Sequence, residues 1–135
     1  MAEDIRQNFG TDTAVTITLD NLANGSSATS SAVDLGNPGP FALSLEANLD
    51  GSAAGNIGNV DFYAQWSNEN TDFSDVLNDL LIGTVTMNGT TAVIKVFAAP
   101  VHARYVSFRA ENNSGAALAA TGNALRYVPV SVDQV

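Results

Sequence analysis

Residues 41–49 read Phe-Ala-Leu-Ser-Leu-Glu-Ala-Asn-Leu, and apolar side chains recur at every second position of the stretch. Successive side chains of a β-strand point to opposite faces. One face of this segment is therefore formed by Phe41, Leu43, Leu45, Ala47 and Leu49. The other face is mostly polar. The stretch predicts a strand of an antiparallel sheet with one face on a core and the other in solvent.

The same alternation recurs in other segments, which are residues 13–19, 60–66, 81–87, 92–97, 104–112 and 124–132. Turn-forming residues separate these segments, and Asn88-Gly89 between two of them is a strong signal for a β-hairpin. About seven to nine short strands spaced by turns are typical of an all-β fold. We therefore predict an antiparallel β-sandwich or jelly roll.

One segment departs from the alternation. The residues Phe73, Val76, Leu77, Leu80 and Leu81 follow helical spacing. This spacing predicts one short helix, with acidic residues in its first turn where the helix dipole favours negative charge. The alternative is an extended loop that tucks the same apolar residues under the sheet.

The chain of 135 residues has the length of one domain. Residues 1–12 are polar apart from two apolar side chains, and we expect them to form an N-terminal arm that orders only against something else. Residues 13–135 then form a single β-sandwich domain. The first ten residues contain no apolar run of the kind that a signal peptide needs.

The charge balance limits the classes of partner. The chain has 14 acidic and 5 basic residues, a formal charge of −9 and no cysteine. A strongly acidic chain is a poor ligand for nucleic acid or an anionic membrane, so neither is expected as a partner. Twelve of the acids and one base lie in residues 1–90, whereas residues 91–135 hold two acids and four bases. This separation suggests contacts between complementary charges.

The sequence offers little for catalysis. His102 is the only histidine, and no serine lies in a Gly-x-Ser-x-Gly elbow. Asp72, Asp75 and Asp79 do not follow the order of a calcium-binding EF-hand loop. We predict no catalytic residue, metal site or cofactor, and therefore no enzyme. Trp66 shares the face of other apolar residues in its segment and is expected to pack in the core.

Seven residues are the candidates for contacts with a partner. Arginine and aromatic side chains are enriched at interfaces, and the polar face of residues 60–66 and the N-terminal arm both offer such groups. For Arg109, an ordinary pair with an acid on a neighbouring strand is the alternative. The candidates are Ile5, Arg6, Phe9, Tyr63, Tyr105, Arg109 and Arg126.

Residues 16–27 (Thr-Ile-Thr-Leu-Asp-Asn-Leu-Ala-Asn-Gly-Ser-Ser), 31–34, 81–85, 105–122 and 125–127 together carry a family resemblance. The chain resembles small virion proteins of tailed bacteriophages that are similar to capsid decoration, or cement, proteins. The resemblance implies a β-sandwich that assembles as a homotrimer and binds the major capsid protein. It also implies a place on the outer capsid surface, after synthesis in the host cytoplasm, where the protein stabilises contacts between coat subunits.

An alternative function stays open at this point. A tail- or fibre-associated virion module, or a β-sandwich that binds carbohydrate, would have a similar composition and pattern of strands. That alternative predicts an exposed aromatic platform around Tyr63 or Tyr105.

Overall fold

The computed structural model describes residues 5–75 and 78–134. Within these ranges the chain forms short antiparallel strands joined by turns and loops. The strands are β1 (Ile5–Phe9), β2 (Thr13–Ala14), β3 (Ser27–Thr29), β4 (Val33–Asp34), β5 (Ala42–Leu49), β6 (Asn59–Ser67), β7 (Leu80–Thr86), β8 (Val93–Pro100), β9 (Tyr105–Asn113) and β10 (Ala124–Gln134).

The strands form two sheets that pack face to face. In sheet A, β1 and β2 both pair with β10, which pairs with β5, and β5 pairs with β8. In sheet B, β3 and β4 both pair with β9, which pairs with β6, and β6 pairs with β7. The predicted all-β, antiparallel sandwich is confirmed.

The core lies between the sheets and follows from the alternation in the sequence. In β5, the predicted inward residues Leu43, Leu45 and Leu49 are fully buried, and Phe62 and Phe108 reach them from sheet B. Burial of large aliphatic and aromatic side chains contributes roughly 1.5–3 kcal/mol each. The period-two pattern therefore supplies most of the packing that holds the sheets together.

The predicted helix is wrong. The described part of residues 71–81 contains no helix, and Val76 and Leu77 lie outside the described residues. Leu80 and Leu81 instead begin β7, where they pair with Ala64 and Tyr63 beside a bulge in the register. The tertiary contact with β6 thus overrides their local helical spacing. No helix in the described ranges has the length and apolar character needed to cross a bilayer.

The predicted hairpin around Asn88-Gly89 is also wrong, because β7 and β8 belong to different sheets. The chain does turn there, with Gly89 at a positive φ of 61° and an isolated bridge between Asn88 and Thr91. The Gly89 N–H donates to the Asn56 carbonyl at 2.8 Å. The turn therefore carries the chain across the sandwich instead of back along the same sheet.

The edges of β7 and β8 form a seam between the two sheets. Phe97 of β8 packs so closely over Gly83 of β7 that a Cβ at residue 83 would lie 2.7 Å from its ring. The Lys95 ammonium donates to the Thr84 carbonyl at 2.6 Å. These contacts close the middle of the seam.

The N-terminal segment, which was expected to be an arm, contains β1. Its five residues pair in antiparallel register with β10, from Ile5 opposite Gln134 to Phe9 opposite Val130. Residues 5–9 therefore have a place in sheet A of their own chain. Residues 1–4 lie outside the described part.

Candidate functional site

One end of the sandwich is closed by buried side-chain hydrogen bonds. The Asn56 amide donates to the Ser114 hydroxyl at 2.9 Å and to the Ala116 carbonyl at 2.9 Å. The Ser114 hydroxyl in turn donates to the Asn112 side-chain oxygen at 2.6 Å. These three polar residues are almost completely buried. We call this cluster of Asn56, Asn112 and Ser114 the closed end.

The opposite end of the same strands is more open. Asn59, at the start of β6, pairs with Asn113, whereas Ser67, at its finish, pairs with Tyr105. Strands rise about 3.3 Å per residue, so the nine residues of β6 separate the two ends by roughly 25 Å. We call the end near Ser67 the open end.

A pocket opens at this end of the seam between β7 and β8. Its volume is about 220 Å³, and it is lined mainly by apolar side chains. We call it the seam pocket, and its residues are Trp66, Leu80, Leu81, Ile82, Ala98, Pro100 and His102. The Trp66 and His102 rings lie in contact, with centroids 5.5 Å apart and planes tilted by 60°. The pocket therefore combines apolar surface with two adjacent aromatic rings.

Trp66 is held firmly in this pocket but keeps one unsatisfied group. Its ring packs against the core as predicted, although the side chain is only partly buried. The Ser74 hydroxyl accepts the Trp66 backbone N–H at 3.0 Å, and the Ser74 N–H donates to the Trp66 carbonyl at 3.1 Å. The buried indole Nε1–H has no hydrogen-bond partner among the described residues. Leaving such a donor unpaired costs about 1–3 kcal/mol.

A second depression adjoins the first at His102. We call it the loop pocket. It measures about 350 Å³ and lies between the turn at residues 35–40 and residues 101–104. Arg104 lines it and forms two hydrogen bonds with the Asp34 carboxylate, at 2.9 and 3.0 Å. Hydrogen bonds from Arg104 and from the Gly36 N–H lower the pKa of Asp34 below its usual range. The seam and loop pockets together form what we call the end groove.

Two of the predicted contact residues, Tyr63 and Arg109, lie together on the outer face of sheet B. The Arg109 guanidinium lies 4.2 Å from the centre of the Tyr63 ring. It also donates to Asp79 at 2.7 Å and to Glu111 at 3.0 Å. The side chains of Arg109 and Asp79 are only 7% and 3% exposed. Arg109 is thus paired within its own chain, although Asp79 directly precedes β7 and Glu111 lies on β9 itself, so neither acid is on a neighbouring strand as the alternative expected. The guanidinium also covers the Tyr63 ring.

This cluster shifts the titration of its members. Burial, followed by the charge of Asp61, raises the pKa of the Tyr63 hydroxyl. Hydrogen bonds from Asn113 and Arg109 lower the pKa of Glu111. Burial opposes the charged form of Arg109, but its bonds to Asp79 and Glu111 prevail and raise its pKa. The cluster holds Asp79, which directly precedes β7, against the outer face of sheet B.

The other predicted contact residues are spread over the molecule. Tyr105 is half-buried, with the Arg104 guanidinium 5.1 Å from its ring centre. Arg126, on β10, pairs with Asp12 at 2.9 Å. Arg6 and Phe9 are exposed on β1, and Ile5 begins that strand. The structure does not gather these residues into one site.

The residues of the end groove were not predicted as a site. The alternation correctly predicted that Trp66 faces inward. It could not predict that this position, the last inward one of β6, lies at the open end of the sandwich. His102 was recognised only as a lone histidine. The sequence did contain one indication of this end, namely Pro100 and the prolines at residues 38 and 40. Proline has no backbone N–H to donate to a neighbouring strand, so these residues mark places where strands end and loops begin. Across residues 5–75 and 78–134, no three His, Asp or Glu side chains are grouped as metal ligands.

Comparisons with known proteins do not assign the chain to a family. No protein-family model and no curated protein matches the chain. Among solved structures, it is similar to the CBM22-1 xylan-binding domain of Xyn10C from Paenibacillus barcinonensis, with 13% identity over 99% of this chain and 96% of that chain and a TM-score of 0.44. It is also similar to the K3 cleaved adhesin domain of Lys-gingipain from Porphyromonas gingivalis, with 15% identity over 78% of this chain and 62% of that chain and a TM-score of 0.36.

Proposed function

We propose that this protein is a non-catalytic binding domain that holds a carbohydrate chain in the end groove. The observation that carries the proposal is Trp66, whose ring lines the seam pocket beside the ring of His102. The C–H face of a sugar ring is apolar and gains free energy by covering an aromatic ring.

The loop pocket favours a neutral sugar over a charged one. Arg104 lines it, but its charge is compensated by Asp34 through the two hydrogen bonds. Such a pair offers donors and acceptors without a net charge, and sugar hydroxyls both donate and accept. The apolar seam pocket and the polar loop pocket would then hold successive sugar units on either side of His102.

Hydrolysis is not part of the proposal. A general acid or base needs a pKa close to the working pH. The pKa of Asp34 is lowered by Arg104, which makes this carboxylate a weak base. The residues that line the two pockets include no Asp or Glu, whereas glycoside hydrolysis ordinarily uses a pair of them. A bound glycan would therefore be retained and not cleaved.

Affinity electrophoresis of the full chain tests this proposal, with gels that contain soluble β-glucan, xylan, mannan or galactan. We expect at least one neutral glycan to retard migration. Trp66→Ala should weaken that retention at least about tenfold, or about 1.4 kcal/mol. Phe9→Ala is the control, since Phe9 is exposed on β1 and lies outside the groove. No retardation by any of the four glycans would reject the proposal, as would retardation that survives Trp66→Ala.

Trp66 also packs against the core, so Trp66→Ala could lose retention because the fold is destabilised. A second variant therefore changes the pocket at a residue outside the core. Leu81 lines the seam pocket but is 58% exposed, so Leu81→Ser should leave the melting temperature nearly unchanged. We expect it to weaken glycan retention severalfold. Retention equal to that of the wild type in both variants would exclude the seam pocket as the site.

A second candidate function is the capsid decoration implied by the phage resemblance. The observation that favours it is β1, which lies at the border of sheet A and keeps Arg6 and Phe9 exposed for a neighbouring subunit. Mixing the pure protein with coat shells and counting copies by imaging tests this function. Many copies at symmetry-related positions, reduced by the double variant Arg6→Glu and Phe9→Ser, would support it. Failure to bind the shells would exclude it.

A further inference from the structure

The outer face of sheet A carries a groove that is separate from the end groove. Its volume is about 350 Å³. It lies where a row of paired residues crosses three strands, from Arg126 on β10 to Glu46 on β5 and Val96 on β8. Ser44 and Val128 line it from the neighbouring row. The groove therefore presents the Glu46 carboxylate between aliphatic side chains on one side and the Asp12–Arg126 ion pair on the other.

One wall of this groove is an apolar stripe, which we define as Ile94, Val96 and Ala98 on the outward face of β8. Ile94 and Val96 are 63% and 61% exposed. They occupy successive outward positions, because they pair with Asn48 and Glu46 of β5. Single exposed aliphatic residues are common, whereas a contiguous row of them is a candidate interaction surface.

Glu46 at the centre of this face is exposed and has no hydrogen bond or ion pair with any of the residues that the structure describes. Its neighbour in the row, Arg126, does not neutralise it, because the guanidinium is bound to Asp12 at 2.9 Å. An unpaired carboxylate beside an apolar stripe matches a cation that is flanked by aliphatic groups.

We propose that this face binds a segment of another protein that presents a lysine or arginine to Glu46 between aliphatic side chains. The aliphatic groups cover the apolar stripe, and the cation pairs with the carboxylate. The net charge of −9 strengthens the preference for a basic partner, because it attracts cationic segments over a distance. The proposal does not depend on carbohydrate binding in the end groove.

A second copy of this chain is a poor occupant of the face. Three of the five basic residues, Arg104, Arg109 and Arg126, are already engaged in ion pairs. Lys95 is exposed on the opposite face of β8 from the apolar stripe, and its ammonium donates to the Thr84 carbonyl. A second copy would bring mostly negative charge against Glu46, which opposes docking.

A titration of the ¹⁵N-labelled full chain with two synthetic peptides tests the proposal. One peptide contains a single Val-Ser-Lys-Ser-Val segment, which places the lysine and both valines on the same face of an extended chain, and the other has glutamate in place of lysine. We expect the basic peptide to shift backbone resonances of β5, β8 and β10, and the acidic peptide to shift none. Glu46→Lys should weaken binding of the basic peptide about tenfold or more.

The control is Glu69→Lys, which makes the same change in net charge at an exposed residue beyond sheet A. Its affinity for the basic peptide should stay within about twofold of the wild type. Three results would overturn the proposal: no shift with the basic peptide, equal binding of both peptides, or an equal loss in the two variants. Concentration-dependent shifts of β8 in the free protein would also overturn it, because they would identify a second copy as the occupant.

Discussion

At the closed end of the sandwich, buried amide and hydroxyl groups of Asn56, Asn112 and Ser114 bind one another and the adjoining loops. At the open end, Trp66 and His102 line a pocket, and the indole N–H finds no partner among the described residues. The same strands connect the two ends. One end is thus closed by buried hydrogen bonds, whereas the other leaves apolar and aromatic side chains at the surface of a pocket, which is where we propose that a ligand binds.

The largest effect is expected where a buried ion pair fixes the loop beside the open end. Arg109→Met leaves the Asp79 carboxylate buried without its cation, which should lower the free energy of unfolding by about 3–5 kcal/mol. Urea denaturation measures this loss. The double variant Arg109→Met with Asp79→Leu should lose less than the single variant, because no charge is left buried. A double variant less stable than the single one would contradict this role of the pair.

A somewhat smaller effect is expected at the closed end. Asn112→Ala removes two donors, to the Leu22 and Ala116 carbonyls, and an acceptor for Ser114. Leaving these buried groups without hydrogen-bond partners should lower the free energy of unfolding by about 3 kcal/mol without changing glycan retention. The matched control is Asn113→Ala, whose side chain is exposed and whose loss should stay within about 0.5 kcal/mol. Equal losses in the two variants would remove the distinction between the ends.

The smallest effect concerns pH at the open end. The folded-state pKa of Asp34 is lowered, so its contribution to stability is complete above the pKa of the unfolded chain. It is lost as the pH falls through the lower, folded-state value. In urea titrations from pH 7 to pH 2.5, Asp34→Asn should therefore show a slightly shallower acid-induced loss of stability than the wild type. The matched variant Glu69→Gln, which breaks no described ion pair, should follow the wild type. An identical acid profile for Asp34→Asn would show that the pair with Arg104 contributes nothing.

The sequence predicted the elements whose pattern is local. Alternation in residues 41–49 placed Leu43, Leu45 and Leu49 in the core, because a period of two specifies which side chains share a face. It could not specify which sheet receives the next strand. Asn88-Gly89 marked a turn correctly, but β8 pairs with β5, whose residues lie more than forty positions earlier in the chain, and no local pattern specifies that partner.

The same limit explains the wrong helix and the missed site. Leu80 and Leu81 fit helical spacing, yet pairing across to β6 decides their conformation. The partner of Arg109 is Asp79, thirty residues away, so sequence alone left its role open. Trp66 was correctly expected to face inward, but its position beside His102 depends on where β6 ends relative to the loop after β8.

The most direct test of the account compares the two ends during binding of a ligand. Trp66 is the only tryptophan, so the ¹⁵N-labelled chain gives a single indole N–H resonance. Addition of a glycan that retards the protein should shift this resonance, while the side-chain amide resonances of Asn56 and Asn112 stay in place. An indole resonance that does not move, or amide resonances that move instead, would contradict the assignment of the open end as the binding site.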